Sequence, residues 1–374
     1  MRCIVSVFCL IQTKNHQILT AKTKFKHALN SIIRMKRTYQ ILAIGAALAI
    51  GIGSFASFKM RTNAKPLDTA EESFFDQLDS TRIVKLIIKS DFSTLIENRT
   101  EEIEQAAQLS LETTPNVFEE YPVKISLRGK TRRNICAFPP IKLNFSKSHL
   151  ASEGLKTFDK YKLVTHCLDN TELVLKEYLA YKLYNQLTEY SFRTQLVELT
   201  YIDSGNAGEM AKQYGILLEN YGELAERFSA KKMPDQLPKN TKIPNEDYQR
   251  LALYQYMIGN TDWNLFRQHN IKWLCMKDSA IPVPYDFDFS GLVNAPYAKP
   301  HPSLPIDSVR QRFLQWRGDQ HEQLAAMRKE LTAKQKEMMQ TCKQFQALSA
   351  SEREDIVTYL DEFFKERYPG DEVD

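Results

Sequence analysis

The stretch from Gly259 to Gly291, GNTDWNLFRQHNIKWLCMKDSAIPVPYDFDFSG, surrounds one short apolar run with carboxylates and carboxamides. The run Ile271 to Met276 predicts a strand, and Ile281 to Pro284 predicts a second extended stretch. If the two stretches pair as a hairpin, polar side chains from both ends of the hairpin meet at one rim. These side chains are Asp262, Asp286, Asp288, Asn260, Asn264 and Asn270.

An oxygen-rich rim of this kind predicts a site for Mg²⁺, which prefers carboxylates, other oxygen ligands and substrate phosphates. A carboxylate beside the metal can also orient a hydroxyl nucleophile, as phosphoryl transfer requires. On an extended strand, Asp286 and Asp288 would lie on the same side, opposite the two phenylalanines beside them. Because two aligned carboxylates repel each other, we expect a metal ion between them, or else a salt bridge to the basic loop at 130–133.

Charge is divided unevenly along the 374 residues. The formal net charge is +4, but residues 1–61 contain ten Lys or Arg and no Asp or Glu. The remainder therefore has 40 basic and 46 acidic residues, a net charge of −6. A negatively charged body gives no reason to expect nucleic acid as a partner.

The basic excess surrounds an apolar segment, Ile41 to Phe58, ILAIGAALAIGIGSFASF. A basic flank followed by such a segment predicts a secretory signal peptide, or an uncleaved anchor because 18 residues are near the minimum for a span. Met35 starts a conventional signal sequence, so we interpret 1–34 as an over-called translation start and 35–62 as the signal or anchor. The expected location is the periplasm, free or anchored in the inner membrane.

Four cysteines follow this segment: Cys136, Cys167, Cys275 and Cys342. An even number in an exported chain permits two disulfides, and the lack of a CxxC spacing gives no indication of zinc. Cys136 and Cys167 flank neighbouring candidate strands and are the preferred pair. Four buried free thiols are the alternative.

The body of the chain divides into a strand-rich half and a helical half, which predicts two lobes. Residues 63–80 are predicted as a linker, 81–220 as the strand-rich lobe and 221–374 as the mainly helical lobe that encloses the hairpin. The stretch between Ile88 and Thr113 is predicted to be mainly helical. Predicted strands are Arg82–Ile88, Tyr121–Arg128, Ile141–Phe145, Tyr161–Thr165, Gln195–Ile202 and Tyr214–Glu219, and predicted helices are Asp169–Leu187, Glu246–Ile258, Asp307–Trp316, Gln320–Leu348 and Ser351–Arg367.

Six motifs follow one another between about residues 120 and 295: RGKTRR, IKLNF, DNTELVLKEYLAYKL, YGILLEN, GNTDWN…HN and PYDFDFSG. Their order and spacing resemble the atypical kinases of the spore-coat CotH type and, more distantly, the HipA-like and lipid-kinase-like folds. The resemblance implies an α+β fold with two protein-kinase-like lobes and ATP between them.

The resemblance also implies roles for individual residues. Lys142 would contact the nucleotide phosphates, Glu177 would pair with that lysine, and the stretch Leu217–Asn220 would lie against adenine. Asp262 would be the catalytic aspartate, and the ligands of Mg²⁺ would include Asn270 and Asp286, with Asp288 beside them.

The sequence by itself does not decide which cationic residue pairs with Glu177. Lys142 is one candidate, and the others lie in the basic motif: Arg128, Lys130, Arg132 and Arg133. The motif has a single glycine and therefore differs from a Gly-rich phosphate loop. Its cations, Arg128 and Arg132 among them, are expected to hold phosphates or an anionic substrate.

We therefore predict an exported atypical kinase that uses Mg²⁺ and ATP to phosphorylate a protein or a cell-envelope acceptor. The alternative is a catalytically silent module that recognises an anionic envelope ligand. A glycosidase that uses Asp262 with Asp286 or Asp288 ranks third. The chain has no G-x-S-x-G, H-E-x-x-H or Walker motif, so serine hydrolases, zincins and P-loop enzymes lack their signatures.

Overall fold

A computed structural model describes residues 72–129, 131–167, 170–206, 208–209, 212–233, 242–315 and 321–366. The predicted translation start, the signal or anchor segment and the first part of the predicted linker lie outside these residues. None of the helices described is both long enough and apolar enough to cross a membrane.

Seven strands of the described chain close into a mixed β-barrel. Their order around the barrel is β1, β2, β3, β4, β5, β8 and β6, and a parallel pairing of β6 with β1 closes the ring, whereas the other neighbours are antiparallel. The strands are β1 (Val84–Ser90), β2 (Gln105–Thr114), β3 (Val117–Leu127), β4 (Ile141–Phe145), β5 (Lys160–Val164), β6 (Thr194–Asp203) and β8 (Gln213–Leu218), with the short β7 (Gly208–Glu209) beside β6.

The prediction of a two-lobed, protein-kinase-like α+β fold is therefore wrong. The described chain contains a closed barrel, a separate small sheet and eight α-helices. Two features of the barrel were not visible in the sequence pattern. The region of β2 was predicted to be mainly helical, and the pairing of Val84 with Val197 joins strands that are far apart in the chain. Closure removes the exposed edges that an open sheet would leave.

Alternating side chains fill the barrel. Val84, Leu86 and Ile88 of β1 point into the core, as expected for a strand with one buried face. Phe74 and Phe75, in the last part of the predicted linker, pack into the same core. The folded region thus includes residues that the sequence assigned to a linker.

A second core forms between the helices and one face of the barrel sheet. Helix α4 (Thr171–Asn185) is central to it: the side chain of Asn170 caps its first turn by accepting from the N–H of Glu172, and most residues of the helix are buried. The predicted helix Asp307–Trp316 is absent from the described residues 307–315. The helices are α1 (Phe92–Glu97), α2 (Thr131–Ile135), α3 (Lys147–Ser152), α4 (Thr171–Asn185), α5 (Tyr221–Arg227), α6 (Asn245–Met257), α7 (His321–Gln344) and α8 (Ala350–Lys365).

The predicted hairpin is confirmed. Strands β10 (Ile271–Cys275) and β11 (Ala280–Pro284) pair antiparallel, with Ile271 opposite Pro284 and Cys275 opposite Ala280. The short strand β9 (Lys231–Lys232) completes a three-stranded sheet on the other side of β10.

The preferred disulfide is confirmed as well. Cys136 and Cys167 are bonded, with their Cα atoms 4.9 Å apart, whereas Cys275 and Cys342 are free thiols. The bond joins the residue that follows α2 to the segment that precedes α4.

Candidate active site

The carboxylate of Asp262 is held on both of its oxygens. His269 Nε2 lies 2.9 Å from Oδ1, and Asn270 Nδ2 donates to Oδ2 at 3.0 Å and to the backbone oxygen of Asp262 at 2.8 Å. The backbone N–H of Asp262 donates to Asn260 Oδ1, which fixes the turn that follows α6. Asp262 is therefore a fixed carboxylate that still presents an exposed edge, with 36% of its side chain accessible.

A tight loop connects Asp262 to the hairpin. Asn264 and His269 exchange backbone hydrogen bonds of 3.0 Å in each direction, so the residues between them form a compact tip. Asn270 then adopts a left-handed conformation with φ of 52°, which Asn tolerates better than most residues. This turn aims the Asn270 side chain back at Asp262.

Asp286 is the second residue after β11 and has φ of 67°, so the chain leaves the extended conformation at this residue. Its N–H donates to the Tyr181 hydroxyl at 2.8 Å, and Tyr285 N–H donates to Asn270 O at 3.0 Å. A non-Gly residue in this conformation carries backbone strain that its surroundings must hold, and such residues cluster at functional sites. Arg128 Nη2 lies 3.9 Å from the Asp286 carboxylate.

The predicted alignment of Asp286 with Asp288 on one strand face is wrong. Because the chain turns at Asp286, that side chain remains 29% exposed, whereas Asp288 is buried and paired with Arg132. Arg132 Nε lies 2.9 Å from Asp288 Oδ2, so a salt bridge to the basic loop, the alternative to a shared metal ion, is what the structure contains.

Arg132 also provides the partner of Glu177. Its Nη2 lies 2.6 Å from Glu177 Oε2, and the Tyr297 hydroxyl contacts both Arg132 Nε and Asp288. Glu177 is completely buried on α4. The implied Lys142–Glu177 pair is therefore wrong, since Lys142 Nζ lies 3.7 Å from Glu104 instead.

This buried cluster holds one cation between two carboxylates. Burial raises the pKa of Glu177 and of Asp288, while the guanidinium of Arg132 opposes the shift in both. Asp286 raises both pKa values further, which indicates that its charge acts on the cluster. Among the described residues, Arg132 Nη1 and Glu177 Oε1 have no hydrogen-bond partner.

A cavity of about 280 Å³ opens between the barrel and the small sheet. We call it the lysine cavity because five of its lining residues are lysines. Within the described chain its one lining carboxylate, Glu219, is neutralised by Arg193 and Arg227, each at 2.8 Å. The lining also includes Leu218 and Asn220 from the predicted adenine-contacting stretch, and the lysines are Lys142, Lys160, Lys162, Lys232 and Lys272.

Two of these lysines face each other across neighbouring strands. Lys142 of β4 and Lys162 of β5 are direct cross-strand partners. Like charges in this arrangement destabilise a sheet, and Glu104, 3.7 Å from Lys142 Nζ, offsets the charge of Lys142. Burial, and then the charges of Arg128 and Lys272, lower the pKa of Lys162 to about 7, with Asp286 opposing them.

A second cavity has a volume of about 480 Å³ and includes Asp262 in its lining. We call it the aspartate cavity because Asp262 is the carboxylate that lines it. Its lining residues are Tyr248, Thr261, Asp262, Trp263, Asn264, Leu265, Phe266, Arg267, His269, His301, Ser303, Leu304 and Gln315.

A continuous path of contacts joins the two cavities. Lys162 Nζ lies 3.8 Å from the centre of the Tyr285 ring, and the Tyr285 N–H donates to Asn270 O. Asn270 in turn donates to Asp262, which lines the aspartate cavity. Asp286 follows Tyr285 on this path, with Arg128 beside it.

The structure therefore divides the predicted site residues into three groups. Asp262, Asn270 and Asp286 lie together on the path between the cavities, with Arg128 next to Asp286. A second group, Arg132, Glu177 and Asp288, forms the buried cluster. Lys142 belongs to the lysine cavity, away from Glu177.

The described residues contain no group of three or more His, Cys, Asp or Glu side chains arranged to hold a metal ion. Mg²⁺ does not need such a group, because it is commonly bound by one or two carboxylates together with substrate phosphates. Asp286 and Asn270 carry a carboxylate and an amide oxygen of this kind, and Tyr285, the neighbour of Asp286, donates its N–H to Asn270 O, whereas Arg132 already engages Asp288.

Three residues beside this site were not predicted from the sequence: Lys162, Lys272 and Tyr285. The alternation in YKLVT could have indicated Lys162, because Tyr161 and Leu163 point into the barrel core and leave Lys162 on the opposite face. The sequence pattern carries no corresponding signal for Tyr285.

No protein-family model matches this chain, and none of the curated proteins compared with it matches either.

Proposed function

We propose that this protein transfers a phosphoryl group from ATP, with Mg²⁺, to a hydroxyl group of a protein or of a cell-envelope component. The observation that carries the proposal is the contact path from the lysine cavity through Tyr285 and Asn270 to Asp262. Phosphoryl transfer depends mainly on positioning and on stabilising charge, and such a path provides a donor side, an acceptor side and a carboxylate between them.

The lysine cavity suits the nucleotide. Lys142 and Lys162 are cross-strand partners that line this cavity together and would bind a polyphosphate, and Lys272 adds a third charge over the Tyr285 ring. The apolar side chains of Phe192 and Leu218 in the same lining suit a base. A triphosphate in this cavity would extend towards Asp286.

Asp286 and Asn270 are the residues that would hold Mg²⁺. The ion would neutralise charge on the phosphate oxygens as the bond to the leaving group breaks. Arg128, 3.9 Å from Asp286, would contribute a fixed positive charge to the same phosphates. Arg132 would keep Asp288 and Glu177 in place, so that the segment from Tyr285 to Asp288 retains its shape.

Asp262 would orient the acceptor hydroxyl and accept its proton. His269 and Asn270 restrain its two oxygens, so the carboxylate is already oriented before an acceptor binds. A positioned base of this type contributes roughly 10² to 10⁴ in rate.

The disulfide supports an exported location for the reaction. Disulfides persist in oxidising compartments such as the periplasm, and Cys136 of this bond donates its N–H to the backbone oxygen of Arg132, which belongs to the buried cluster. The acceptor is then expected among proteins or polymers of the cell envelope.

The test combines nucleotide binding with turnover. Mg²⁺-ATP should raise the melting temperature, and ADP should form in the presence of Mg²⁺. Asp262→Asn should bind ATP normally but form ADP about 10² to 10⁴ times more slowly, whereas Asp286→Asn should weaken the Mg²⁺ dependence. Asp278→Asn, in the exposed turn at the other end of the hairpin, is the matched control and should behave as the wild type. Absence of any stabilisation by Mg²⁺-ATP contradicts the proposal.

A second candidate is a catalytically silent module that binds an anionic envelope ligand. It is favoured by the Arg132–Asp288 ion pair, which occupies a carboxylate that two-metal phosphoryl transfer would use. Binding of inorganic polyphosphate that depends on Lys142 and Lys162, without ADP formation from ATP, would support this candidate over the first.

A further inference from the structure

A rigid turn presents a serine in the aspartate cavity. The Leu304 N–H donates to His301 O at 2.9 Å, which closes a β-turn over His301, Pro302, Ser303 and Leu304. Proline at the second position fixes its own φ near the value that this turn needs. Both Ser303 and His301 are exposed, and both line the cavity that contains Asp262.

The Ser303 hydroxyl proton points at a base. The Ser303 backbone N–H lies 3.2 Å from His301 Nδ1, and because an N–H can only donate, Nδ1 must be the acceptor. The Ser303 hydroxyl lies 2.7 Å from the same nitrogen and therefore donates to it as well. This assigns the tautomer of His301 with its proton on Nε2.

The segment that bears the turn is tied to the Asp262 loop. Gln315 Nε2 donates to Thr261 O at 2.8 Å, one residue before Asp262. Arg310 donates to Gly291 O at 3.2 Å and pairs with Asp355 at 2.9 and 3.0 Å. The first contact lies within the cavity lining, and the others anchor the segment between Ser303 and Gln315 to the rest of the fold.

We propose that Ser303 is a phosphorylation site that this protein modifies itself, with the hydroxyl of Ser303 acting as an acceptor in its own aspartate cavity. The proposal rests on the phosphotransferase function proposed above and names one acceptor for it. Three observations carry it: the shared cavity with Asp262, the hydrogen bond to His301, and the closed turn that fixes both residues.

The step is a single displacement at phosphorus. Ser303 Oγ forms a bond to the γ-phosphorus of ATP, and the bond from that phosphorus to the bridging oxygen breaks. The electron pair of the broken bond leaves with ADP. At this acceptor the hydroxyl proton passes to His301 Nδ1, which Ser303 already contacts, whereas Asp262 keeps its role as the base for external acceptors. The products are ADP, phosphoserine at 303 and one proton, so atoms and charge balance. The new group adds a charge of about −1.5 to −2 to the cavity that Asp262 lines.

The experiment maps phosphate by mass spectrometry after the full chain is incubated with Mg²⁺-ATP, while ADP is measured in parallel. Phosphate is expected on the peptide that contains Ser303. Ser303→Ala should abolish phosphorylation of this peptide, and Ser303→Thr should give phosphothreonine at position 303. His301→Gln keeps the hydroxyl and should slow modification by about 10²-fold. Ser308→Ala, a matched change in the same exposed segment, should leave phosphate at Ser303 unchanged.

The outcomes separate this inference from the proposed function. ADP formation without phosphate at Ser303 overturns the inference and leaves the phosphotransferase proposal standing. If the His301→Gln variant forms phosphoserine at 303 at the wild-type rate, the role of His301 as the base is overturned. A protein that forms no ADP and takes up no phosphate overturns both proposals.

Discussion

The backbone N–H of Gly291 donates to the carbonyl oxygen of Gly259 at 3.1 Å, so the two glycines that bound the acidic segment meet. Leu292 continues the contact by donating to Ile258 O at 3.0 Å. This closure fixes both ends of the segment that contains the hairpin and the site carboxylates. Neither glycine has room for a Cβ atom, because the Tyr359 hydroxyl and the Val309 carbonyl oxygen lie against both.

Gly291→Ala should therefore destabilise the protein. The added methyl group would contact Tyr359 and the backbone of Val309, and overpacking of this kind costs about 1–3 kcal/mol. Chemical denaturation measures the loss. Gly208→Ala is the matched control, since a Cβ there meets nothing closer than 3.9 Å, and a similar loss in both variants would contradict this explanation.

Arg132→Met should be more damaging, because it leaves Glu177 and Asp288 buried without a cation. Breaking a buried ion pair by removing one partner costs about 3–5 kcal/mol. Lys334→Met, which breaks an exposed pair with Glu337, should cost at most about 1 kcal/mol.

The Arg132 variant should also acquire a stronger pH dependence. Burial already raises the pKa of Glu177 and of Asp288, and loss of the guanidinium would raise both values further. The folded state would then bind more protons than the unfolded state, so the free energy of unfolding should fall as pH rises above the unfolded pKa values of about 4. Unfolding curves between pH 4 and 8 measure the slope, and a variant no steeper than the wild type would contradict the assignment.

Nucleotide affinity should fall as pH rises above 7. Burial, together with Arg128 and Lys272, lowers the pKa of Lys162 to about 7, so the free protein loses this charge above that pH. A bound phosphate favours the protonated form, and binding must then take up a proton, which weakens affinity by up to about tenfold per pH unit. Calorimetric titration with ATP from pH 7.5 to 9 measures the slope.

Two lysine variants separate this effect from general electrostatics. Lys162→Met should bind ATP more weakly and lose the pH dependence that Lys162 causes. Lys160→Met, in the same cavity, should also weaken binding but retain the slope. If both variants retain the slope, another group is responsible for it.

Removal of the disulfide should affect stability and ligand binding together. The bond closes a loop with a sequence separation of 31, for which loop entropy predicts about 3–4 kcal/mol of stabilisation. Because Cys136 follows the helix that carries Arg132, Cys136→Ser combined with Cys167→Ser should also weaken ATP binding. Cys275→Ser is the control, and a reducing agent should destabilise the wild type but leave the double variant unchanged.

Local features of the chain were predictable from the residues themselves. Strand β4 agrees with its prediction, and the hairpin of β10 and β11 agrees within a residue or two at its ends. The Cys136–Cys167 bond was also predictable, because the two cysteines flank strands that were expected to be neighbours. In each case a short pattern of alternation or spacing determined the outcome.

Strand β2 shows where local sequence patterns fail to predict the structure. Its sequence, QAAQLSLETT, alternates poorly and contains residues that favour helices, so local preference predicted the wrong element. Pairing with β1 and β3 on both sides made it a strand, since backbone hydrogen bonds to two neighbours outweigh a weak propensity.

The sequence by itself determined the hairpin, the disulfide and the polar residues at Asp262, Asn270 and Asp286, because these depend on neighbours a few residues away or on residue chemistry. Only the tertiary structure decided that the barrel closes and that Arg132, rather than Lys142, pairs with Glu177. Both outcomes depend on contacts between distant segments. Many such pairings satisfy the same local pattern, and packing together with the desolvation of buried charge selects one of them.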